Sequence, residues 1–367
     1  MKWFVLILFI FSLSCSREKL PLPEIPPAED QFGNVGQEVY VSINPPFDAA
    51  NGYNFNQPGD IYLGADNFLY ICDTGNDRIV MMDVGGVVQG VSQPIPHPEA
   101  ISQNDSLQLL IVNRTNAVFK IDLVAVAHNI AQAPVEMVFE QSSKPTHQFT
   151  GISVFNGFEY YVTVLEPADS NSVSTEFSFI FDFNGNHTLK GPLPMNVNGT
   201  GLFSTIVPTA VVSLRERWLD ISLSGEQTTA FYFTHIGRTS QLESNNFKLQ
   251  HITTVLFEGQ EILTPNITFI GQDIYSINVR ANLEDIALDR NGFIFAVDAG
   301  GSGTEPGFYR YSSLGKELQS VAGFGDGDQE FNSPKGIAVL PFLEEQIVFI
   351  SDTGNNRILR FKLSTDL

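Results

Sequence analysis

The sequence predicts an all-β chain folded as a six-bladed β-propeller, and three observations carry that expectation. A unit made of a Pro or polar lead, two variable residues, an Ile and then short apolar strands recurs along the chain. Its starts are Pro58-Gly-Asp-Ile61, Pro98-Glu-Ala-Ile101, Phe149-Thr-Gly-Ile152, Leu283-Glu-Asp-Ile286 and Pro334-Lys-Gly-Ile337. A period of about forty to fifty residues with strands alone points to four-stranded blades around a channel. Finally, the hairpin at residues 70–83 returns almost unchanged at 349–361, so both ends of the chain are built from one unit.

From the N-terminus, Lys2 precedes an apolar run over residues 3–13 that closes on Ser12, Ser14 and Cys15. A positive start, a short apolar stretch and small residues make a secretory signal over 1–14. The run falls short of the about 20 residues needed to cross a bilayer. Ser12-Leu13-Ser14-Cys15 resembles the lipobox of bacterial lipoproteins. That resemblance implies export, lipid attachment at Cys15, and residence in the bacterial cell envelope as an outer-membrane lipoprotein. Residues 15–36 hold Pro21, Pro23, Pro26 and Pro27 and read as a lipid-attached tether stiffened by proline. The propeller domain occupies 37–367.

With Cys15 committed to lipid, Cys72 is the one thiol left, so no internal disulfide is expected and stability must come from a core. Cys72 falls inside an apolar strand and reads as a small core residue. Lys and Arg number 20 against 41 Asp and Glu, a formal net charge of −21. Nucleic acid is disfavoured as a partner, because phosphate binding needs a basic face and no Lys/Arg cluster occurs. An acidic surface chiefly keeps an exported protein soluble.

Between the third and fourth starts lie apolar runs at 209–214, 218–223, 229–234 and 247–257, which make one more, divergent unit. That brings the blades to six; residues 260–281 are long enough to hold a seventh, which is the alternative. The early strand at 38–43 has no unit of its own. An open ring leaves unpaired sheet edges, so this strand is expected to join the last blade as its outer strand and close the circle.

Asp73-Thr-Gly-Asn-Asp-Arg-Ile79 and Asp352-Thr-Gly-Asn-Asn-Arg-Ile358, each downstream of a Pro-x-x-Ile start, resemble the signature of the NHL-repeat β-propeller family. Gly323-Phe-Gly-Asp-Gly-Asp-Gln-Glu-Phe-Asn-Ser-Pro334 is similar to that family's linker. The resemblance implies the propeller fold and leaves function open, since such propellers serve both as binding platforms and as enzymes. In the turns themselves, Asp73 and Asp352 can accept from backbone amides, Gly75 and Gly354 are expected to supply a positive φ, and Asn76 and Asn355 complete the repeat. Arg78 and Arg357 can pair with the turn carboxylates; they are also candidate binding residues.

Connections after the first strand of each unit read as short, while those after the second strand and between blades read as long. The long ones include 166–175, 127–147, 260–281 and 299–306. The elaboration is therefore expected on one face, where binding usually lives. On this reading the protein is a non-enzymatic binding or scaffolding module that takes a protein, peptide or glycan on its long-loop face, with Trp218 as a candidate contact. The alternative is a metal-dependent propeller hydrolase or lyase, lactonase-like, acting at the central channel. The residues before the shared Ile read Asp60, Ala100, Gly151, Asp285 and Gly336 and should surround that channel. Asp60 and Asp285 are the carboxylates that could hold a divalent cation there. The six His are scattered with no metal-ligand spacing, and no Gly-x-Ser-x-Gly elbow appears. No catalytic residue, metal ligand set or further cofactor is assigned.

Overall fold

A computed structural model describes residues 38–167, 177–193, 206–215, 230–237, 247–276, 280–301, 303–340 and 346–366. The signal segment, Cys15, the tether and Trp218 lie outside these residues. Strand β1 (Tyr40–Ser42) precedes the blades. Blade 1 is β2 (Pro58–Leu63), β3 (Phe68–Asp73), β4 (Arg78–Asp83) and β5 (Val88–Val91). Blade 2 is β6 (Ala100–Gln103), β7 (Gln108–Val112), β8 (Ala117–Asp122) and β9 (Val135–Glu140). Blade 3 is β10 (Gln148–Phe155), β11 (Glu159–Glu166), β12 (Phe177–Phe183) and β13 (Leu189–Pro192). Blade 4 is β14 (Ile206–Ser213), β15 (Phe231–Gly237), β16 (Leu249–Phe257) and β17 (Gln260–Pro265). Blade 5 is β18 (Leu283–Leu288), β19 (Ile294–Asp298), β20 (Gly307–Tyr311) and β21 (Glu317–Ala322). Blade 6 is β22 (Gly336–Val339), β23 (Ile347–Asp352) and β24 (Arg357–Leu363), with β1 as its fourth strand.

The expected closure is present: β1 pairs antiparallel with β24, Val41 opposite Lys362. Tyr40 is buried there, and its hydroxyl donates to Gln346 Oε1 at 3.0 Å. The innermost strands β2, β6, β10, β14, β18 and β22 neighbour one another around a closed ring. Second strands are buried on both faces because each sheet is sandwiched between two blades. The outer β5 and β21 are largely open to solvent instead. The core is thus a set of apolar seams between blades. Tyr70, Cys72 and Met81 of blade 1 meet Ile101, Leu109 and Ile111 of blade 2 in one of them. Cys72 is a buried free thiol, and burial pushes its pKa up.

The blades are latched at their inner ends by threonine. Thr74 Oγ1 donates to the Pro98 carbonyl (2.7 Å), Thr150 to Pro208 (2.6 Å), Thr209 to Leu283 (2.6 Å) and Thr353 to Pro58 (2.7 Å). Each bond runs from one blade to the lead residue of the next, and the last crosses the seam where the ring closes. The repeated turns are tied down in the same spirit. Asp352 accepts from the Asn332 amide (2.7 Å), Asn355 Nδ2 (2.8 Å) and Arg357 Nε (2.7 Å). Asp73 accepts the equivalent bonds from Asn56, Asn76 and Arg78.

Two expectations need correction, and a third falls outside the described residues. The left-handed residue of each repeated turn is Asp77 (φ 53) or Asn356 (φ 54), not the glycine. Gly75 and Gly354 are required for close approach: a Cβ would lie 2.7 Å from the Asn56 carbonyl in one and 2.6 Å from the Asn332 carbonyl in the other. The run at 218–223 lies outside the described residues; the fourth strand of blade 4 is β17, which pairs along its length with β16. That β16–β17 hairpin also accounts for the start of the 260–281 stretch, leaving six blades.

Blade 4 carries two interior histidines. His235 donates from Nε2 to the Phe247 carbonyl at 2.7 Å, and His251 stacks on Tyr232 at 4.5 Å between ring centres. Burial lowers both pKa values from 6.5 to about 4. The unfolded chain therefore takes up protons at these two sites first as the pH falls. Their contribution is fully present above pH 6.5 and is lost between there and pH 4, about 3 kcal/mol per histidine. Hydrogen exchange, corrected for intrinsic rates, should show β15 and β16 losing protection before the other blades over that interval; uniform loss in all six would contradict it.

Candidate functional site

Each inner strand starts on the same face of the ring, called here the upper face. The turns between second and third strands and the links into the next blade emerge there, because adjacent strands are antiparallel. Register places one residue of each blade at each depth of the channel. At the mouth stand Gly59, Glu99, Thr150, Thr209, Glu284 and Lys335, one step after each lead residue. One level down come Asp60, Ala100, Gly151, Ala210, Asp285 and Gly336. Below them Ile61, Ile101, Ile152, Val211, Ile286 and Ile337 form an apolar floor.

These levels enclose a cavity of about 100 Å³ on the propeller axis. Asp60, Ala100, Gly151 and Asp285 line it. Gly336 does not, and serves packing instead: a Cβ there would sit 2.5 Å from the Gly59 carbonyl and 2.8 Å from Asp60 Cα. The missing side chain lets the inner strands of blades 6 and 1 close together.

Asp60 and Asp285 share a hydrogen bond, although blade 6 stands between their own blades. The Ile101 amide donates to Asp60 Oδ2 at 2.8 Å. The amides of Ile286 and Ile337 donate to Asp285 Oδ1 and Oδ2 at 2.7 and 2.8 Å. Burial raises both carboxyl pKa values, and for Asp285 the charge of Asp60 adds to it. Two carboxyls in contact cannot both ionise, so the pair keeps one proton. The proton belongs to the pair as a unit, held by the burial of both carboxyls and their mutual contact.

At the mouth, Thr150 and Thr209 are committed to the latches, and Glu99 is held by Arg114 Nε at 2.7 Å. That leaves Glu284 and Lys335 on adjoining blades. Burial raises the Glu284 carboxyl pKa while the Lys335 charge opposes it, yet among the described residues the two close no ion pair.

A divalent cation does not fit this donor set. Such an ion takes several free oxygen ligands, but both oxygens of Asp285 accept backbone amides, Asp60 accepts from Ile101 and Ile61, and the pair holds a proton between its members. Among the described residues no three His, Cys, Asp or Glu side chains converge to hold a metal.

The remaining candidates lie elsewhere. Arg78 and Arg357 do not line the cavity and sit on Asp73 and Asp352 at 2.8 and 2.7 Å. Arg357 further donates to the carbonyls of Asp326, Gly327 and Glu330, which fixes the linker before blade 6. The expectation that elaboration gathers on one face is overturned. Blade 2 joins its third strand to its fourth through residues 123–134, a long connection that belongs to the lower face. Part of the 127–147 stretch is the strand β9. Reading the sequence for Asp60 and Asp285 passed over Glu99, Glu284 and Lys335, which the same repeat marks one position earlier.

Fold and cavity together define a six-bladed β-propeller with a charged axial site. No family model matches the chain, and no curated protein does. Among solved structures it is similar to a luciferin-regenerating enzyme, with TM-score 0.57 and 9% identity over 89% of this chain and 95% of that one. It is also similar to a gluconolactonase from Xanthomonas campestris, with TM-score 0.55 and 11% identity over 89% and 97% of the two chains. A third likeness is to regucalcin, a calcium-binding protein from Agrobacterium tumefaciens, with TM-score 0.52 and 12% identity over 84% and 91%. At such identities the likeness is one of fold.

Proposed function

We propose that the chain is a propeller enzyme that opens small ring esters at the upper mouth of its axial channel, with Asp60 and Asp285 as the proton-transferring pair. The observation that carries this reading is the carboxyl pair sharing a hydrogen bond inside the cavity. A permanently paired acid and base at one site is the usual equipment for adding water to a carbonyl. Asp60 takes a proton from the attacking water as the new C–O bond forms. Asp285 gives its proton to the ring oxygen as the ester C–O bond breaks. The shared hydrogen bond returns the proton from Asp60 to Asp285, and the hydroxy acid product releases its own proton to solvent.

The fold neighbours include a gluconolactonase, which favours this reading over that of a passive scaffold. The scaffold reading, with a protein, peptide or glycan on a single elaborated face, loses its main argument now that long connections occur on both faces. The donor set favours acid–base chemistry by the chain's own carboxyls over metal assistance. The lipobox-like Ser12-Leu13-Ser14-Cys15 supports a place in the bacterial envelope, with Cys15 lipidated and residues 15–36 as the tether; the NHL-type turns fit within the same proposal.

The test is turnover of a panel of aliphatic and sugar-derived lactones, with and without a strong chelator. Hydrolysis should survive the chelator and fall by about 10²-fold or more in Asp60→Asn and in Asp285→Asn, with both variants still showing a cooperative melt. No turnover across the panel, loss on chelation, or unchanged rates in the variants would overturn the proposal.

A further inference from the structure

Glu284 and Lys335 have no part in the proton transfer just described, and neither is needed for the ring. The latches and the amide bonds to Asp60 and Asp285 hold the inner strands without them. Both line the cavity, both are partly buried, and they belong to neighbouring blades. Within the described residues the charged end of each lacks an ion-pair or hydrogen-bond partner. By contrast, Glu99 across the mouth is neutralised by Arg114 at 2.7 Å.

Holding charged groups partly out of water without partners is costly, and a site organised this way is complementary to what is missing. Counting the mouth, Glu99 and Arg114 cancel, Glu284 and Lys335 cancel, and the aspartate pair with its single proton leaves the cavity one negative charge. A cation is therefore preferred inside, and Lys335 supplies one donor for an oxygen.

We infer that the axial site selects a ring ester bearing a positively charged amine next to its carbonyl, the amine seated on Glu284 and the carbonyl oxygen facing Lys335. This rests on the reading of the site as an ester-opening one. The ring is small: a cavity of about 150 Å³ lined by apolar side chains holds a benzene, and this one is about 100 Å³ with an open mouth for any substituent. Lys335 has a second use on this geometry. The carbonyl oxygen gains negative charge as water adds, so an ammonium there binds the reacting state more tightly than the ground state.

Binding is measured by calorimetry on the Asp285→Asn protein, whose slow turnover leaves the ligand intact and which keeps the Asp60 carboxylate, using α-amino-γ-butyrolactone, γ-butyrolactone and cyclopentylamine. The amino lactone should bind, with both other compounds weaker by roughly tenfold or more. Adding Glu284→Gln should remove the preference for the amino lactone over γ-butyrolactone. Adding Lys335→Met should remove its advantage over cyclopentylamine. Equal affinity for the charged and uncharged lactones, or a preference that survives Glu284→Gln, overturns the inference even where wild-type protein hydrolyses lactones. Selective binding of the amino lactone without turnover by the wild type would instead leave the inference standing and sink the reading of the site as hydrolytic.

Discussion

Removing residues 37–43 should lower the melting temperature by on the order of 10 °C and abolish a single cooperative transition. The segment contributes β1, the fourth strand of blade 6, which pairs with β24 from Tyr40 opposite Leu363 to Ser42 opposite Phe361. Without it β24 becomes a bare edge at the place where the first and last blades meet. Tyr40 adds most of the side-chain energy. It is 3% exposed, its ring lies edge-on to Phe308 at 5.2 Å, and its hydroxyl reaches Gln346, whose Nε2 in turn donates to Asp289 Oδ2 at 2.9 Å. Burial of one such ring, its hydrogen bond and three residues of strand pairing come to about 5 kcal/mol. Calorimetry on the truncated and full propeller checks this, and an unchanged melting temperature would mean that the ring closes by other means.

The Asp285→Asn variant should respond to pH differently from the wild type. The folded protein keeps a proton on the aspartate pair that the unfolded chain releases near the ordinary carboxyl pKa of 3.8, because burial and the adjacent Asp60 raise the pKa of Asp285 well above it. The folded state therefore binds more protons than the unfolded one. The pair's contribution is complete below pH 3.8 and declines as the pH climbs towards the folded pKa, by about 1.4 kcal/mol per pH unit. An asparagine cannot titrate, so this loss is absent in the variant. The variant is the less stable protein in acid, since an amide nitrogen cannot accept from the amides of both Ile286 and Ile337 as the carboxyl does. The gap between the two should narrow steadily with rising pH. Other buried carboxyls, such as Asp289 and Asp352, are common to both proteins and cancel in the difference. A constant gap from pH 5 to pH 8, measured by denaturant titration, would show that Asp285 is ionised throughout.

Much of this architecture is legible in the sequence because a propeller repeats. The recurring starts that end in Ile fix the register of five inner strands, so the channel-facing positions of all but one blade can be read directly, Asp60 and Asp285 among them. Blade 4 is the exception, since Pro208-Thr-Ala-Val211 replaces the Ile by Val. The turn of Asp73 shows how residue type and role separate. Glycine at position 75 is as visible as any residue, but a sequence cannot show whether it is there for a left-handed backbone or for a neighbour's carbonyl, and here the neighbour decides. The meeting of Asp60 with Asp285 is hidden for a related reason: it depends on how tightly the ring closes over Gly336, a property of six blades together. Loop placement is hidden from the sequence because counting connections presumes which strand each one follows, and blade 2 breaks the pattern with a long connection after its third strand.

The shared proton is the centre of this account, and isotope-edited infrared spectroscopy with labelled aspartate observes it directly. Near pH 7 the wild-type protein should show a protonated carboxyl band that is lost when both Asp60 and Asp285 are replaced by asparagine. A wild-type spectrum at that pH containing only ionised aspartates, or a protonated band unchanged in the double variant, would contradict it.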